Sequence, residues 1–200
     1  KLQLIQEEVG LEAMKFIDSH IPLEDPDLML VSTTTKFNIY NQQKDQYNCI
    51  VNLKKINDIN RINKFFEAVN SKLQLGGIYV NHVETYGLRK QRILKKYPSG
   101  INWVIYTIDY GYKRVMPKLW WTKRTYFFLT KGRNRVISKA ETLGRLYSCG
   151  FEIIEENLIN TDIGIVVVIR VTHDMNEVVW LPLLQLVGAI ADKILGLDPI

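Results

Sequence analysis

Apolar residues recur along the chain with two periods, and the changes of period mark its elements. From Leu2 to His20, residues Leu4, Ile5, Val9, Leu11, Met14, Phe16 and Ile17 fall near helical spacing and Ile21-Pro22 closes the run, which predicts an amphipathic helix. Past the acidic loop LEDPD, Leu28–Thr33 (LMLVST) reads as a short buried strand. The polar stretch NIYNQQKDQ connects it to a second buried strand, Tyr47–Leu53. Helical spacing returns over Asn57–Leu73, through Ile59, Ile62, Phe65, Phe66, Val69 and Leu73. Gly76-Gly77 is expected to stop that helix ahead of a strand at Ile78–Val83. Strand, helix, strand in this order implies parallel pairing with a right-handed crossover. Ser138–Cys149 predicts a further helix, with Ser138 and Glu141 fitting a capping box. The strands Phe151–Glu155 and Gly164–Val171, joined by a polar turn, predict an antiparallel hairpin at the sheet edge.

This succession predicts an α/β, Rossmann-like fold: an incomplete class I methyltransferase-like sheet with a basic, aromatic helical insertion. The half that would hold a cofactor is the missing part. In such domains the first strand runs into a glycine-rich loop and an acidic residue ends the next strand. Ahead of Val31 there is one helix, and no GxGxxG or GxG. No cofactor is therefore expected, and an S-adenosylmethionine-dependent methyltransferase is kept as the alternative. With 200 residues and 46% hydrophobic positions, the chain suits one domain with an appendage. Residues 1–176 are assigned to the domain, 89–137 within it to the insertion, and 177–200 to an apolar C-terminal helix. That tail could pack on the core, pair with another copy to make a homo-oligomer, or lie in a membrane. No export signal is expected from the opening KLQLIQEEVG, and the apolar stretch Val178–Ala191 falls short of the roughly 20 residues a spanning helix needs.

Charge changes this picture. Residues 89–139 carry fourteen basic side chains against the single acid Asp109, a net of +13, while the rest of the chain balances to −8. Such asymmetry points to a polyanionic partner. Trp103, Tyr106, Tyr110, Tyr112, Trp120, Trp121, Tyr126, Phe127 and Phe128 crowd the same stretch. Trp and Tyr beside Lys and Arg suit the headgroup level of an anionic membrane. They also suit stacking on single-stranded nucleic acid, which is ranked behind the membrane. A solvated basic face over an ordinary aromatic core is the plain alternative. The residues assigned to membrane or phosphate binding are Arg89, Lys90, Arg92, Lys95, Lys96, Lys113, Arg114, Trp120, Trp121, Lys131, Arg133 and Arg135. The last three flank a helix start, where basic groups could clamp a lipid headgroup or polyprenyl phosphate.

A pocket, if one exists, is expected where the first two strands end, between Thr33, Thr34 and Thr35 on one side and Asn52, Lys54 and Asn57 on the other. The plainer reading, that those hydroxyls satisfy backbone groups and cap the following turn, ranks ahead of a ligand role. His20, His82 and His173 have no second ligand at metal spacing, so no metal site is expected. Asp58 and Glu67 have no partner for acid-base chemistry, and no catalytic residue is assigned. Cys49 and Cys149 carry no ligand or disulfide pattern.

Several stretches together resemble one family. They are STTTKFNI at 32–39, NLKKINDINRINKFFEAVNSKL at 52–73, GGIYV at 76–80, LRKQRILKKYP at 88–98, KRVMPKL at 113–119 and YFFLTKGRNRVISKAETLGRLYSCGFEIIEE at 126–156. They resemble the non-catalytic N-terminal region of Bacteroidetes-type polyprenyl-phosphate sugar-phosphate transferases, which initiate exopolysaccharide or capsule synthesis. The family's catalytic module, with its KFRTM-type signature and acidic pair, has no counterpart here, and the likeness fades after residue 176. The resemblance implies a non-catalytic accessory domain beside a sugar-transferase catalytic module, peripheral on the cytoplasmic face of a bacterial inner membrane.

Overall fold

The computed structural model describes residues 2–131, 133–160 and 164–172. Its centre is a five-stranded sheet in the order β1-β2-β3-β5-β4, from β1 (Leu28–Val31), β2 (Tyr47–Asn52), β3 (Leu73–Val83), β4 (Phe151–Asn160) and β5 (Gly164–Val171). β1, β2 and β3 run parallel; β5 is antiparallel to both β3 and β4. The fold is therefore the Rossmann-like, incomplete class I methyltransferase-like α/β sheet that the element order implies. A doubly wound sheet reverses strand order on either side of its first strand. Here only residues 32–46 separate β1 from β2, and β1 is the edge of the described sheet.

Both faces of the sheet are covered, which explains why β2 reads as a continuous apolar run. α3 (Ile62–Asn70) and α7 (Lys139–Tyr147) close one face, where Ile62, Phe65, Phe66 and Val69 pack with Ile50, Tyr79, Leu146 and Phe151. α1 (Leu2–Asp18) closes the other, through Ile5, Val9, Ala13 and Ile17 against Val51, Val80, Val166 and Val168. The predicted first helix is thus present, with a kink at Gly10 (φ 80°). Ser138 caps α7 as its spacing predicts: its hydroxyl accepts from the Glu141 N–H at 3.1 Å.

Several boundaries differ from expectation. The helix predicted over Asn57–Leu73 is a 3-10 turn, Ile56–Asp58, followed by the shorter α3. Gly76-Gly77 does not stop it. The pair lies inside β3, where the register against β2 jumps from Tyr47↔Leu73 to Cys49↔Ile78. Gly76 takes φ 82° and a side chain at Gly77 would press on the Gln74 carbonyl, so the glycines make a bulge possible. The strand predicted at Phe151–Glu155 also runs on, to Asn160. The tail assigned to 177–200 lies outside the described residues, as does His173.

Between β3 and α7 the chain leaves the sheet as a helical arm: α4 (Tyr86–Lys96), α5 (Ile101–Tyr110), a π turn (Gly111–Val115) and α6 (Trp120–Thr130). α2, a single turn at Phe37–Tyr40, follows β1.

Candidate functional site: the strand ends and the helical arm

The ends of β1 and β2 are bound to each other. Asn52 closes a two-point clamp on Thr33: its Oδ1 accepts from the Thr33 N–H at 3.1 Å and its Nδ2 donates to the Thr33 carbonyl at 3.0 Å. Thr33 Oγ1 in turn accepts from the Thr35 N–H at 3.3 Å, and Thr33 and Asn52 are both buried. Thr34 is half-buried and Thr35 exposed beside them. Lys54 reaches α1 instead of a ligand, pairing with Glu8 at 3.0 Å. Asn57 belongs to a different junction, described below.

Beneath α1, a cavity of about 10 Å³ is lined by Val9, Ile17, Asn52, Leu53, Asn81 and His82, among others. It has room for about one water molecule. Burial, with the charges of Lys55 and Lys54 adding to it, pushes the His82 imidazole down to about 3, so it is neutral there. A larger depression, lined by Asp18, Pro22, Leu23 and Glu24, sits on the loop that leads into β1, where acids would repel a phosphate.

This geometry does not fit S-adenosylmethionine. The backbone of the β1 loop is already paired with Asn52, no glycine lets a cofactor approach it, and among the described residues β1 has a strand on one side only, β2, which ends in Asn52 and not in a ribose-binding acid. No group of three or more His, Cys, Asp or Glu side chains among the described residues could hold a metal. The thiols of Cys49 and Cys149 are buried and free; burial, with Asp25 adding, pushes Cys49 up to about 11, too high for a reactive thiolate.

The arm starts and ends at one junction at the end of β3. Asn57 staples it: its Nδ2 donates to the carbonyls of Glu84 (2.8 Å) and Arg135 (2.7 Å), and its Oδ1 accepts from the Glu84 N–H (2.8 Å). The Tyr86 N–H donates to the Ile137 carbonyl at 3.0 Å, so the arm's two feet are bonded to each other. Arg89, only 8% exposed, holds the root from inside. Its Nε and Nη2 grip both carboxylate oxygens of Asp109 at 2.6 and 2.7 Å, and Nη1 donates to Asn134 Oδ1 at 2.7 Å and to Glu84 at 3.4 Å. Arg92 pairs with the other Glu84 oxygen at 2.5 Å. Burial works against the Arg89 charge, but the Asp109 bonds and the nearby carboxylates outweigh it and hold its pKa above the usual value.

The predicted binding residues therefore separate into two groups. Arg89 is consumed inside the arm and Arg92 is tied to buried Glu84. Lys90 lies over the rings of Trp103 and Tyr106, at 5.0 and 5.4 Å, and Arg114 over Tyr86 at 5.4 Å. Arg135 donates to the Asn60 carbonyl at 3.2 Å and lies over Phe127 at 5.9 Å. Lys113 is half-buried, where burial and the neighbouring Arg89 lower its pKa. Lys95, Lys96, Lys131 and Arg133 are exposed, as are Trp120 and Trp121.

Glu84 and Asn134 had no place among the expected residues. Glu84 stands five residues before Arg89, outside the basic stretch, so a charge count passes over it. Absent from the expected binding residues are Ile101, Val104 and Ile108 on α5 and Phe128 on α6, which are exposed like the expected Trp121.

Comparison with known proteins returned no matching family model and no matching curated protein. Solved structures do match at low identity. A structure described as an S-adenosylmethionine-dependent methyltransferase from Listeria monocytogenes is 13% identical with a TM-score of 0.43, over 68% of this chain and 67% of that one. Another from Mesorhizobium loti is 14% identical with a TM-score of 0.38, over 66% of each chain. A third from Thermotoga maritima is 11% identical with a TM-score of 0.38, over 66% of this chain and 59% of that one. These are low-scoring likenesses, and no residue role is carried over from them. The expectation of a non-catalytic accessory domain of a sugar-phosphate transferase is corrected here: these three matches are described as methyltransferases, and none as a sugar transferase.

Proposed function

We propose that this methyltransferase-like domain binds an anionic lipid surface through its arm, as a peripheral membrane protein. One observation carries the reading: fourteen basic side chains and one acid share residues 89–139, and that acid, Asp109, is spent on Arg89. Of the other basic residues, Arg92 pairs with Glu84 and Lys139 with Glu156, both acids outside that stretch. Lys95, Lys96, Lys118, Lys123, Arg124, Lys131 and Arg133 are exposed and free to meet phosphates. Each basic residue held near an anionic leaflet contributes about 1 kcal/mol, so seven are ample for reversible binding. No helix among the described residues is long and apolar enough to cross a membrane. Co-sedimentation with neutral and anionic vesicles tests the reading: binding to anionic vesicles alone supports it, and equal or absent binding to both overturns it.

The strand order favours a second reading, an S-adenosylmethionine-dependent methyltransferase. Isothermal titration with S-adenosylmethionine decides it. The clamped β1 loop predicts no heat of binding at micromolar protein, and micromolar affinity would put the methyltransferase reading first.

A further inference from the structure

The arm exposes an apolar edge as well as charge, and charge alone does not account for it. On α5, Ile101, Val104 and Ile108 stand three and then four residues apart, which aligns them along one face of the helix, and they are 58%, 59% and 66% exposed. On α6, Trp121 and Phe128 are seven apart on one face and 68% and 81% exposed. An ordinary surface helix turns such a stripe inward, toward the core. Here the inward positions are taken by Asn102, which donates to the Leu94 carbonyl at 3.1 Å, and by Tyr126, which is fully buried. The apolar stripes are therefore left outside by the packing.

We propose that these exposed stripes insert into the boundary between headgroups and acyl chains of an anionic bilayer. The inference rests on the lipid-binding reading above and adds its second component. Charge complementarity selects the occupant. Lys118, just before α6, and Lys123 and Arg124 on it are exposed, with no carboxylate of the arm to balance them. A protein partner would have to bring many carboxylates around an apolar centre, whereas an anionic bilayer presents phosphates above hydrocarbon in the order this surface needs. Tryptophan at the rim, with Trp120 86% exposed, suits the interfacial layer.

Tryptophan fluorescence of the whole chain carrying W180F, so that only Trp103, Trp120 and Trp121 report, tests the insertion with anionic vesicles containing lipids brominated at shallow or deep positions. The expected result is a blue shift on binding and quenching by the shallow bromolipid, with a fraction bound that survives high salt. The double variant I108S/F128S, which changes two exposed positions and should melt like the parent, is expected to partition at least roughly tenfold more weakly. Binding that is fully salt-reversible, without shift or quenching, overturns insertion and leaves the electrostatic reading standing. Absence of binding to any vesicle overturns both. A dimer in sedimentation that I108S/F128S dissociates would also overturn insertion, since a second copy would then cover the edge.

Discussion

Arg89 shows how one side chain can decide what a charge count means. As one of fourteen cations it reads as a ligand for a polyanion, yet its guanidinium is buried and bonded to Asp109, Glu84 and Asn134. Removing one partner of such a buried pair leaves the others uncompensated, which costs about 3–5 kcal/mol. Arg89→Met should therefore lower stability in urea by about that amount, and adding Asp109→Asn should recover part of it. A stability loss below about 1 kcal/mol in Arg89→Met would mean that the network does not hold the arm. Lys95 and Lys96, exposed at the end of α4, should show the opposite pattern on neutralisation, with stability unchanged. Sequence placed all these cations in one stretch but could not sort them, because Asp109 and Asn134 come near Arg89 only through the closure of the arm on itself.

At the scale of elements, contacts between neighbours in sequence were legible and contacts between distant segments were not. The capping box at Ser138 and the bounds of β5 follow from local chemistry and from period. Gly76-Gly77 misled because a glycine pair after a helical run reads as a stop, whereas here it answers a register jump against β2. The same limit hid the arm's apolar edge: the spacing of Ile101, Val104 and Ile108 fits a helix, but spacing alone cannot say which face turns inward. Gly164 serves a different element. With φ 102° it begins β5 where a side chain would overlap the Val83 carbonyl, so Gly164→Ala should destabilise the β3-β5 pairing by at least about 2 kcal/mol in denaturant titration.

α1 gives the clearest pH dependence. His82 lies under it, buried, with its pKa lowered to about 3. The unfolded chain takes up a proton near the ordinary value of 6.5, which the folded chain refuses until about 3, so this contribution is present above pH 6.5 and is lost as pH falls toward 3. His20, at the end of α1, acts with the opposite sign. The Phe16 carbonyl, with Glu155 assisting against partial burial, raises its pKa, so its contribution is present below 6.5 and fades as pH rises through the raised value. Amide hydrogen exchange should therefore find α1 losing protection on acidification from pH 6.5 to 4.5, and losing less of it in His82→Leu. Equal loss in both proteins would remove His82 as the cause.

The whole molecule is a sheet closed on both faces, with its strand ends clamped shut and a charged arm rooted at one junction. The strand ends at Thr33–Thr35 and Asn52–Asn57, where a pocket would lie if one exists, are engaged in hydrogen bonds of the protein to itself, while the arm carries exposed basic and aromatic side chains. On the reading proposed above, the arm is the lipid-binding surface and the sheet its support. The most direct measurement is co-sedimentation with anionic vesicles across a salt series, comparing the parent chain with a variant in which Lys95, Lys96, Lys118, Lys123 and Arg124 are changed to Gln. Binding by the parent that weakens with salt, and its loss in the variant at unchanged melting temperature, is the predicted result. Equal binding of both proteins, or none by either, would contradict the account.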